Sequence, residues 1–296
     1  MLLKEETTDN YVLKRREVRL NPLNDYLFKQ YMGTEECKVC LISFLNAVLK
    51  IKLTEVEIIE NLELPKETPE GKFSRLDVRA KLPDGTQVNI EVQLLNEDNI
   101  INRSQYYNGR IYISGIGQGD DYSRLGKVIS INILNFNYLP YTEYHISSHF
   151  RIDQHPEEVL SEDQEIHFLE LKKFYKNERY DIHNPLHRWL KYFDRNLEKE
   201  ELEELIKMDE AIKVAEERTK KAALSENEMR YYEALEDARR NMISSQRYQR
   251  NQGFKAGEER FAKLAEHLLQ DNRLEDLQQA IQYPELRKKL YKEYSI

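Results

Sequence analysis

SRLDVRAKLPDGTQVNIEVQLLNED, residues 74–98, is the stretch that decides the fold. At its centre stands Pro83-Asp84-Gly85, which has the composition of a three-residue hairpin loop. Proline presets φ at the first position, aspartate suits the second, and glycine accepts the left-handed conformation that closes the loop. The stretch therefore predicts two antiparallel strands, residues 74–82 and 87–95, joined by a tight turn.

The loop also fixes which residues of the two strands face each other. Counting outward from Leu82 opposite Thr86 places Asp77 opposite Glu91. Directly opposed residues of an antiparallel pair have Cβ atoms about 4.5–5.5 Å apart. We therefore expect these two carboxylates to be close neighbours on one face of the sheet.

The alternation of residue types agrees with this register, because one face is apolar and the other polar. The apolar face, which we expect in the core, comprises Leu76, Val78, Ala80, Leu82, Val88, Ile90, Val92 and Leu94. The polar face comprises Asp77, Arg79, Lys81, Gln87, Asn89, Glu91 and Gln93.

Two directly opposed carboxylates destabilise a sheet unless something offsets their repulsion. A shared proton would do so by raising one pKa. Nearby cations such as Arg75 or Arg79 would give an ordinary solvated pair. A bound divalent metal is the third arrangement, since hard cations prefer oxygen ligands. The spacing alone leaves all three open.

The rest of the first 195 residues predicts a mixed α/β fold class, with helix, strands, helix and strand in turn. A helical pattern broken near Gly33 and a run rich in Tyr and Ile are the predicted helices, and short apolar runs are the predicted strands. The helices are residues 24–49 and 100–115, and the strands are residues 56–64, 128–136 and 166–174. Residues 128–136 read VISINILNF, which predicts a strand buried on both faces.

After residue 193 the composition changes. Residues 197–269 contain almost only helix-forming residues and no proline, so we expect long helices with solvated charged faces that extend from the α/β body. One or two short helices follow, with a turn near Asp271 and with Pro284 at the start of the last helix. The predicted regions are an α/β domain (1–195), a helical arm (196–260) and a short helical module (261–296).

The bulk composition excludes several classes of protein. The chain has 296 residues and a net charge of -8, which argues against a broad nucleic-acid-binding surface but allows a local basic cleft. No apolar run has the length of a membrane span or the character of a signal peptide, so we expect a cytoplasmic protein without a membrane partner. Cys37 and Cys40 lie in an apolar helical segment and are predicted to be packing residues rather than redox or metal-binding groups.

Asp77, followed fourteen residues later by Glu91-Val92-Gln93, resembles the nuclease signature PD-(D/E)XK. The order of several other stretches is similar to the recombination-promoting nucleases of bacteria, which are PD-(D/E)XK nuclease family transposases. These stretches are residues 21–33, 102–136, 166–174 and 184–193, together with the helical tail that carries Gly253 and Gly257. The resemblance implies a restriction-endonuclease-like core, with a central mixed sheet flanked by helices, followed by an extended all-α C-terminal region.

The resemblance also implies an activity, which is metal-dependent hydrolysis of DNA in recombination, mobile elements or defence. Asp77 and Glu91 would bind Mg²⁺, with Mn²⁺ as a substitute, and the backbone carbonyl of Val92 would complete the ligand set. Gln93 stands where the general signature has lysine. An amide has no useful basicity, so the expected role of Gln93 is to orient a water molecule or a phosphate oxygen.

Further residues are weaker candidates for the same site. Arg103 on the following helix is expected to contact the substrate phosphate, with Tyr107 or Tyr106 in support, although a tyrosine on this helix more often packs in the core. Asp25 could add a metal ligand or a contact to one, and the competing interpretation is a helix N-terminus beside Asn24.

The expected partner is DNA, bound weakly and with tolerance of sequence. Candidate phosphate contacts are the basic residues Arg15, Arg16, Arg75, Arg79, Lys81, Arg103, Arg110, Arg239, Arg240, Arg247 and Arg250. The C-terminal helices are expected to mediate self-association, as a dimer. A module of the helix-turn-helix kind that serves partners or regulates the nuclease is the alternative, although its acidic first half argues against insertion into the major groove.

A second function class stays open from the sequence. A catalytically weak or inactive nuclease fold would act as an oligomeric protein that binds nucleic acid or a partner. An RNA substrate is equally compatible with the residues.

Overall fold

A computed structural model describes residues 19–59, 78–177 and 179–296 of the chain. A six-stranded mixed sheet runs in the order β1-β2-β3-β4-β6-β5, with β3, β4 and β6 parallel to one another and the other neighbours antiparallel. The strands are β1 (Glu57–Ile59), β2 (Val78–Lys81), β3 (Gln87–Gln93), β4 (Val128–Leu134), β5 (His145–Ile152) and β6 (His155–Glu170).

Helices flank this sheet and make up the C-terminal part of the described chain, which confirms the predicted fold class. Two short 3-10 turns lie at Glu35–Cys37 and Tyr122–Arg124. The α-helices are α1 (Asp25–Met32), α2 (Lys38–Leu49), α3 (Ile100–Ile113), α4 (Leu171–Asn177), α5 (Pro185–Tyr192), α6 (Lys199–Met208), α7 (Glu210–Leu224), α8 (Glu226–Gln270), α9 (Leu274–Gln282) and α10 (Pro284–Glu293).

The hairpin between β2 and β3 has the predicted loop and register. The Leu82 amide donates to the Thr86 carbonyl at 2.8 Å, and Gly85 has a φ of 89°, in the left-handed region that glycine accepts. The pairing runs from Lys81 opposite Gln87 to Val78 opposite Ile90, as the counting from the loop predicted.

The main core lies between the apolar face of the sheet and helices α1, α2, α5 and α7. All seven residues of β4 are buried, which confirms the prediction of a strand covered on both faces. The largest fully buried side chains are Trp189, Tyr31, Tyr192, Phe28, Phe44 and Phe193. Burial of aromatic rings on this scale gives the sheet a rigid support on one side.

The other face of the sheet carries α3, which is the crossover that two parallel strands require. A small apolar cluster anchors the first turn of α3 to the ends of β4 and β6 through Ile100, Leu134, Phe136 and Phe168. This face holds the predicted site, because Glu91 and its polar neighbours point toward α3.

The predicted strand 166–174 is wrong in its second half. β6 ends at Glu170, and Leu171 begins α4. The Glu170 carboxylate accepts hydrogen bonds from the Tyr138 and Leu139 amides and pairs with Lys173 at 2.8 Å, so it ties the strand end to a neighbouring loop. β5 was not predicted, because it is an edge strand in which no residue is buried and apolar residues are a minority of HISSHFRI.

The helices after residue 197 do not all extend from the α/β body. Leu202 and Leu205 of α6, and Ile212 and Ala215 of α7, belong to the main core. Their apolar residues recur at helical spacing inside a run of charges, which conceals an amphipathic helix behind a solvated composition.

The chain divides into two compact units, and the division falls between Glu236 and Asp237. The second unit, Asp237–Ile296, has its own small core of Leu264, Leu268, Ala280 and Leu290. Its turn at Asn272 has a φ of 56°, and Pro284 opens α10, both where the sequence predicted. No helix in the described ranges has the length and apolar character that a bilayer crossing requires.

Candidate functional site

Glu91 lies in the middle of β3 and is 1% exposed. Of the three arrangements left open for the opposed carboxylates, which were a shared proton, a solvated pair and a bound metal, the solvated pair is wrong for Glu91. Asn89 and Glu91 are both buried, because α3 crosses above them. Water therefore does not screen the Glu91 carboxylate.

Arg103 of α3 offsets the charge of Glu91 on one side only. Its Nε donates to Glu91 Oε2 at 3.3 Å. Glu91 Oε1 is buried and has no hydrogen-bond partner within the described residues. A buried carboxylate oxygen without a donor costs free energy, so this atom has a strong requirement for a cation or a donor.

A row of aromatic and basic side chains continues from Arg103 along α3. The Arg103 guanidinium lies 5.5 Å from the centre of the Tyr107 ring, and Arg110 lies 5.6 Å from the centre of the Tyr106 ring. The two tyrosine rings contact each other edge to face. Tyr106 is exposed and Tyr107 is half-buried, so neither packs in the core as the competing interpretation held. The contacts hold the Arg103 side chain beside Glu91.

Polar contacts also bind α3 to β4. The Ser104 hydroxyl lies 2.8 Å from Asn132 Oδ1, and Asn108 Nδ2 donates to Ser130 Oγ at 3.1 Å. Ser130 and Asn132 are the β4 residues paired with Asn89 and Glu91. Together with Ser104 and Asn108 of α3, these side chains form a buried polar layer of six residues between sheet and helix. Such a layer fixes the position of α3 more strictly than apolar packing, since each bond has a required geometry.

Three acceptor oxygens of this layer have no hydrogen-bond partner among the described residues: Asn89 Oδ1, Glu91 Oε1 and Asn108 Oδ1. Each of these oxygens can accept a hydrogen bond but cannot donate one. A region with an excess of buried acceptors favours cations and water molecules, which supply the missing positive charge.

The remaining residues of the predicted triplet lie on the same strand. Val92 is buried in the main core, so only its backbone could contribute to a site. Gln93 is the last residue of β3, is half-buried, and shares the polar face with Glu91. Its backbone carbonyl accepts a hydrogen bond from the Asn135 amide at 2.9 Å, which fixes the strand end.

Asp77 lies outside the described residues, so its pairing with Glu91 stays a prediction. Asp25 is the first residue of α1, where Asn24 is the N-cap and accepts from the Tyr26 amide. This agrees with the helix-terminus interpretation of the segment. α1 packs against α2 and α7, on the apolar side of the sheet.

The donor set fits a divalent metal as far as the described residues go, since the orphaned Glu91 Oε1 is a hard oxygen ligand with no other partner. A different group, His155, Glu157 and Glu158, has ligand atoms close enough to share an ion within the described ranges. These three side chains are exposed at the start of β6, and such groups commonly hold no ion.

A second cluster of titratable groups lies at the β5–β6 edge. His145 Nε2 and His167 Nδ1 are 2.9 Å apart, and His167 Nε2 lies 2.7 Å from Glu165 Oε1. Burial, with His167 and Lys50 nearby, lowers the pKa of His145 to about 4. The hydrogen bond from His167, reinforced by Lys127, lowers the pKa of Glu165 to about 2.

Both cysteines are buried, and neither forms a disulfide bond. Burial raises the pKa of both the Cys37 and the Cys40 thiol. This agrees with packing cysteines, because a reactive thiol requires a lowered pKa.

Four residues of the buried polar layer were not predicted from the sequence as members of the site: Ser104, Asn108, Ser130 and Asn132. A signal was present, because Ser130 and Asn132 alternate with isoleucines in VISINIL. Two polar residues on one face of an otherwise apolar strand indicate a polar contact above that face.

The family described as PD-(D/E)XK nuclease family transposase matches residues 22–249, which includes the hairpin, α3 and β4. No curated protein and no solved structure matches the chain.

Proposed function

The chain belongs to the PD-(D/E)XK nuclease family transposases, and from this we propose that it is a metal-dependent endonuclease that hydrolyses the phosphodiester bonds of DNA. The family points to a nuclease-type function, and PD-(D/E)XK nucleases generally use divalent metal ions. The biological setting that we propose is recombination, mobile elements or defence, in the cytoplasm.

One observation carries the proposal: Glu91 Oε1 is a buried carboxylate oxygen without a partner in the described part of the chain. A carboxylate that served only to pair with Arg103 would gain most from two hydrogen-bond donors, one on each oxygen. Glu91 Oε1 is therefore the atom that we expect to bind a metal ion.

Asp77, Glu91 and the Val92 carbonyl would hold Mg²⁺ or Mn²⁺. The ion would supply a bound water of lowered pKa and would neutralise charge that develops on the phosphate. Gln93 would orient the attacking water or a phosphate oxygen through its amide, without removing a proton.

Arg103 has a second role in this proposal. Beside a Glu91 that held a metal ion, the Arg103 guanidinium would donate to a phosphate oxygen, for which its planar fork is suited. Tyr107 limits the positions open to Arg103 by stacking under it.

The test is nicking of supercoiled plasmid by the full chain in Mg²⁺, Mn²⁺ and EDTA. We expect metal-dependent nicking that falls on the order of 100-fold or more in Glu91→Gln and in Asp77→Asn, because a metal ligand supports several kcal/mol of transition-state stabilisation. Glu97→Gln removes the same charge at an exposed position six residues away and is the matched control. Undiminished activity in either site variant would remove the assignment.

Gln93→Lys introduces the residue of the general signature. We expect it to retain Mg²⁺ binding, measured by calorimetry. Loss of both activity and metal binding would contradict the purely orienting role of Gln93.

The ion pair between Glu91 and Arg103 favours the second candidate function, a nuclease fold without activity that binds nucleic acid or a partner, because a cation already neutralises one side of Glu91. Absence of nicking on both DNA and RNA, with retained nucleic-acid binding, would select this alternative. Self-association through the C-terminal helices, as a dimer, is part of either proposal and is measured by light scattering.

A further inference from the structure

Helix α8 carries a stretch that differs in charge from the rest of the molecule. Residues 238–257 contain five Lys and Arg residues and no Asp or Glu. The second compact unit as a whole has twelve Lys and Arg and nine Asp and Glu, a net charge of +3 in a chain of net charge -8. The other 236 residues therefore carry a net charge of -11.

The arginines of this stretch lie on one side of the helix. At 3.6 residues per turn, Arg239, Arg240, Arg247 and Arg250 fall within an arc of about 100° around the helix axis. We call this arc the basic face. From the first arginine to the last it is about 16 Å long at 1.5 Å per residue.

Arg247 and Arg250 are exposed and make no ion pair within the described chain. Arg240 pairs with Asp237 at the N-terminal end of the face. Residues 247–257 are all exposed, and a Cβ added at Gly253 or Gly257 would meet no atom of the described chain within 4 Å.

An ordinary solvated helix intersperses both signs of charge, which yields pairs three or four residues apart. This stretch has no acidic residues to form such pairs. Its other exposed side chains are mainly Asn, Gln and Ser, which also donate hydrogen bonds to phosphate oxygens. The composition is therefore that of a surface for a polyanion.

A membrane surface fits this helix less well. An interfacial helix needs an apolar face opposite its basic one. Here Met242, Tyr248 and Phe254 point in three different directions around the axis, by the same count of 3.6 residues per turn.

We propose that the basic face of α8 binds the phosphate backbone of DNA, separately from the site at Glu91. The choice of DNA among polyanions rests on the proposed nuclease function. A length of about 16 Å corresponds to about five base pairs of duplex. Contacts to phosphate carry no sequence information, so binding through this face is tolerant of sequence.

The test separates binding from cleavage. Fluorescence anisotropy of a labelled duplex is measured in EDTA with the full chain carrying Glu91→Gln, at several salt concentrations. We expect Arg247→Gln with Arg250→Gln to weaken binding on the order of tenfold near 0.1 M salt, and to reduce the slope of log affinity against log salt by roughly two.

A second comparison uses two charge-reversal double variants. One carries Arg247→Glu and Arg250→Glu in α8, and its control carries Lys289→Glu and Lys292→Glu, the same change of charge at exposed positions of α10. We expect a larger loss for the α8 pair. Equal losses would overturn the proposal, because net charge alone would then explain binding. If Arg247→Glu with Arg250→Glu abolished binding to vesicles with anionic lipid but left DNA binding unchanged, the proposal would be overturned in favour of a membrane surface.

The outcomes also distinguish this inference from the proposed function. Wild-type protein that cuts DNA, with unchanged binding in the α8 variants, would overturn the inference alone. Binding that depends on Arg247 and Arg250 in a protein that never cuts would support the inference and remove the nuclease activity.

Discussion

Among the described residues, Glu91 has a single hydrogen-bond partner in the protein interior. Arg103 contacts one carboxylate oxygen, and the other has no donor in the described part of the chain. A buried charge pair is stabilising only when its remaining hydrogen-bond positions are filled. The stability of this part of the fold should therefore depend on which cations are available to Glu91.

Arg103→Met makes this dependence measurable. We expect the free energy of unfolding to fall by roughly 3 kcal/mol in EDTA, because the variant leaves an uncompensated buried carboxylate. Mg²⁺ should restore more stability to Arg103→Met than it adds to the wild type, since the ion would then take the place of the missing guanidinium beside Glu91. Urea denaturation with and without Mg²⁺ gives both values. Equal effects of Mg²⁺ on the two proteins would argue against a metal at Glu91.

His145 makes a pH-dependent contribution to stability. Its pKa in the folded protein is about 4, below the ordinary value of 6.5, because burial and the neighbouring His167 and Lys50 disfavour its charged form. The unfolded chain therefore binds a proton more readily between these pH values, and stability falls as pH is lowered from about 6.5 to about 4.

His145→Gln should remove this part of the pH dependence. We expect the slope of unfolding free energy against pH to decrease by up to about 1 kcal/mol per pH unit in that window. The separate loss of stability below about pH 4.5 should persist, because it arises from Glu165, whose pKa is lowered to about 2. An unchanged slope between pH 4 and 6.5 would assign the effect to another group.

For single residues, the sequence predicted correctly those roles that depend on the local backbone conformation. Gly85 and Asn272 have the left-handed conformation that their residue types favour, and Pro284 begins a helix. Burial of Glu91 was not predictable from the hairpin, because it depends on α3, which the chain adds after β3. Long-range partners such as Asn132 are likewise invisible to local patterns.

Among the elements, the glycines show how the same substitution can have opposite effects. A Cβ would meet no atom within 4 Å at Gly85, Gly253 or Gly257. Gly85 has a φ of 89°, whereas Gly253 and Gly257 lie inside α8. Conformation, rather than space, decides the result.

We expect Gly85→Ala to destabilise the protein by about 1 kcal/mol, and Gly253→Ala with Gly257→Ala to stabilise α8 by up to about 1 kcal/mol per site. Circular dichroism during thermal unfolding measures both. If the α8 glycines serve the close approach of a second helix, their replacement will instead weaken self-association in light scattering.

Strand and helix boundaries were predicted where residue types change sharply and missed where they do not. The break at Gly33 and the end of α3 near residue 113 were predicted within a few residues. The change from β6 to α4 was missed, because IHFLELKKF has apolar residues at both strand and helical spacing. The point where the strand ends is decided by Glu170, whose carboxylate accepts hydrogen bonds from the Tyr138 and Leu139 amides some thirty residues earlier.

On the scale of the whole molecule, each compact unit has a core of its own. The second unit buries only four residues fully in its core, and the first buries a far larger set. A unit of about sixty residues buries a small share of its surface and is correspondingly marginal in stability.

We therefore expect two unfolding transitions, with the second unit unfolding first. Leu268→Ala should lower the first transition alone, and Leu45→Ala should lower the second alone, since these residues belong to different cores. Differential scanning calorimetry of the full chain measures both. A single transition displaced by both substitutions would mean that the units unfold together.

The family and the mixed α/β class were predictable from the order of motifs along the chain, and the match over residues 22–249 agrees. The attachment of α6 and α7 to the main core was not predictable in the same way. Charged residues dominate their composition, and only the packed structure reveals that Leu202, Leu205, Ile212 and Ala215 face inward.

The three-residue loop before β3 sets a constraint on how this chain can change over evolutionary time. Successive side chains of a strand point to opposite faces, so a single inserted residue that the turn did not absorb would slide β2 by one position. The side chains of Val78 and Ala80 would then move from the core to the polar face of the sheet, and the side chains of the neighbouring β2 residues would also change face. Apart from the glycine that the left-handed conformation of residue 85 favours, the loop can vary in composition, but any change in its length must preserve parity.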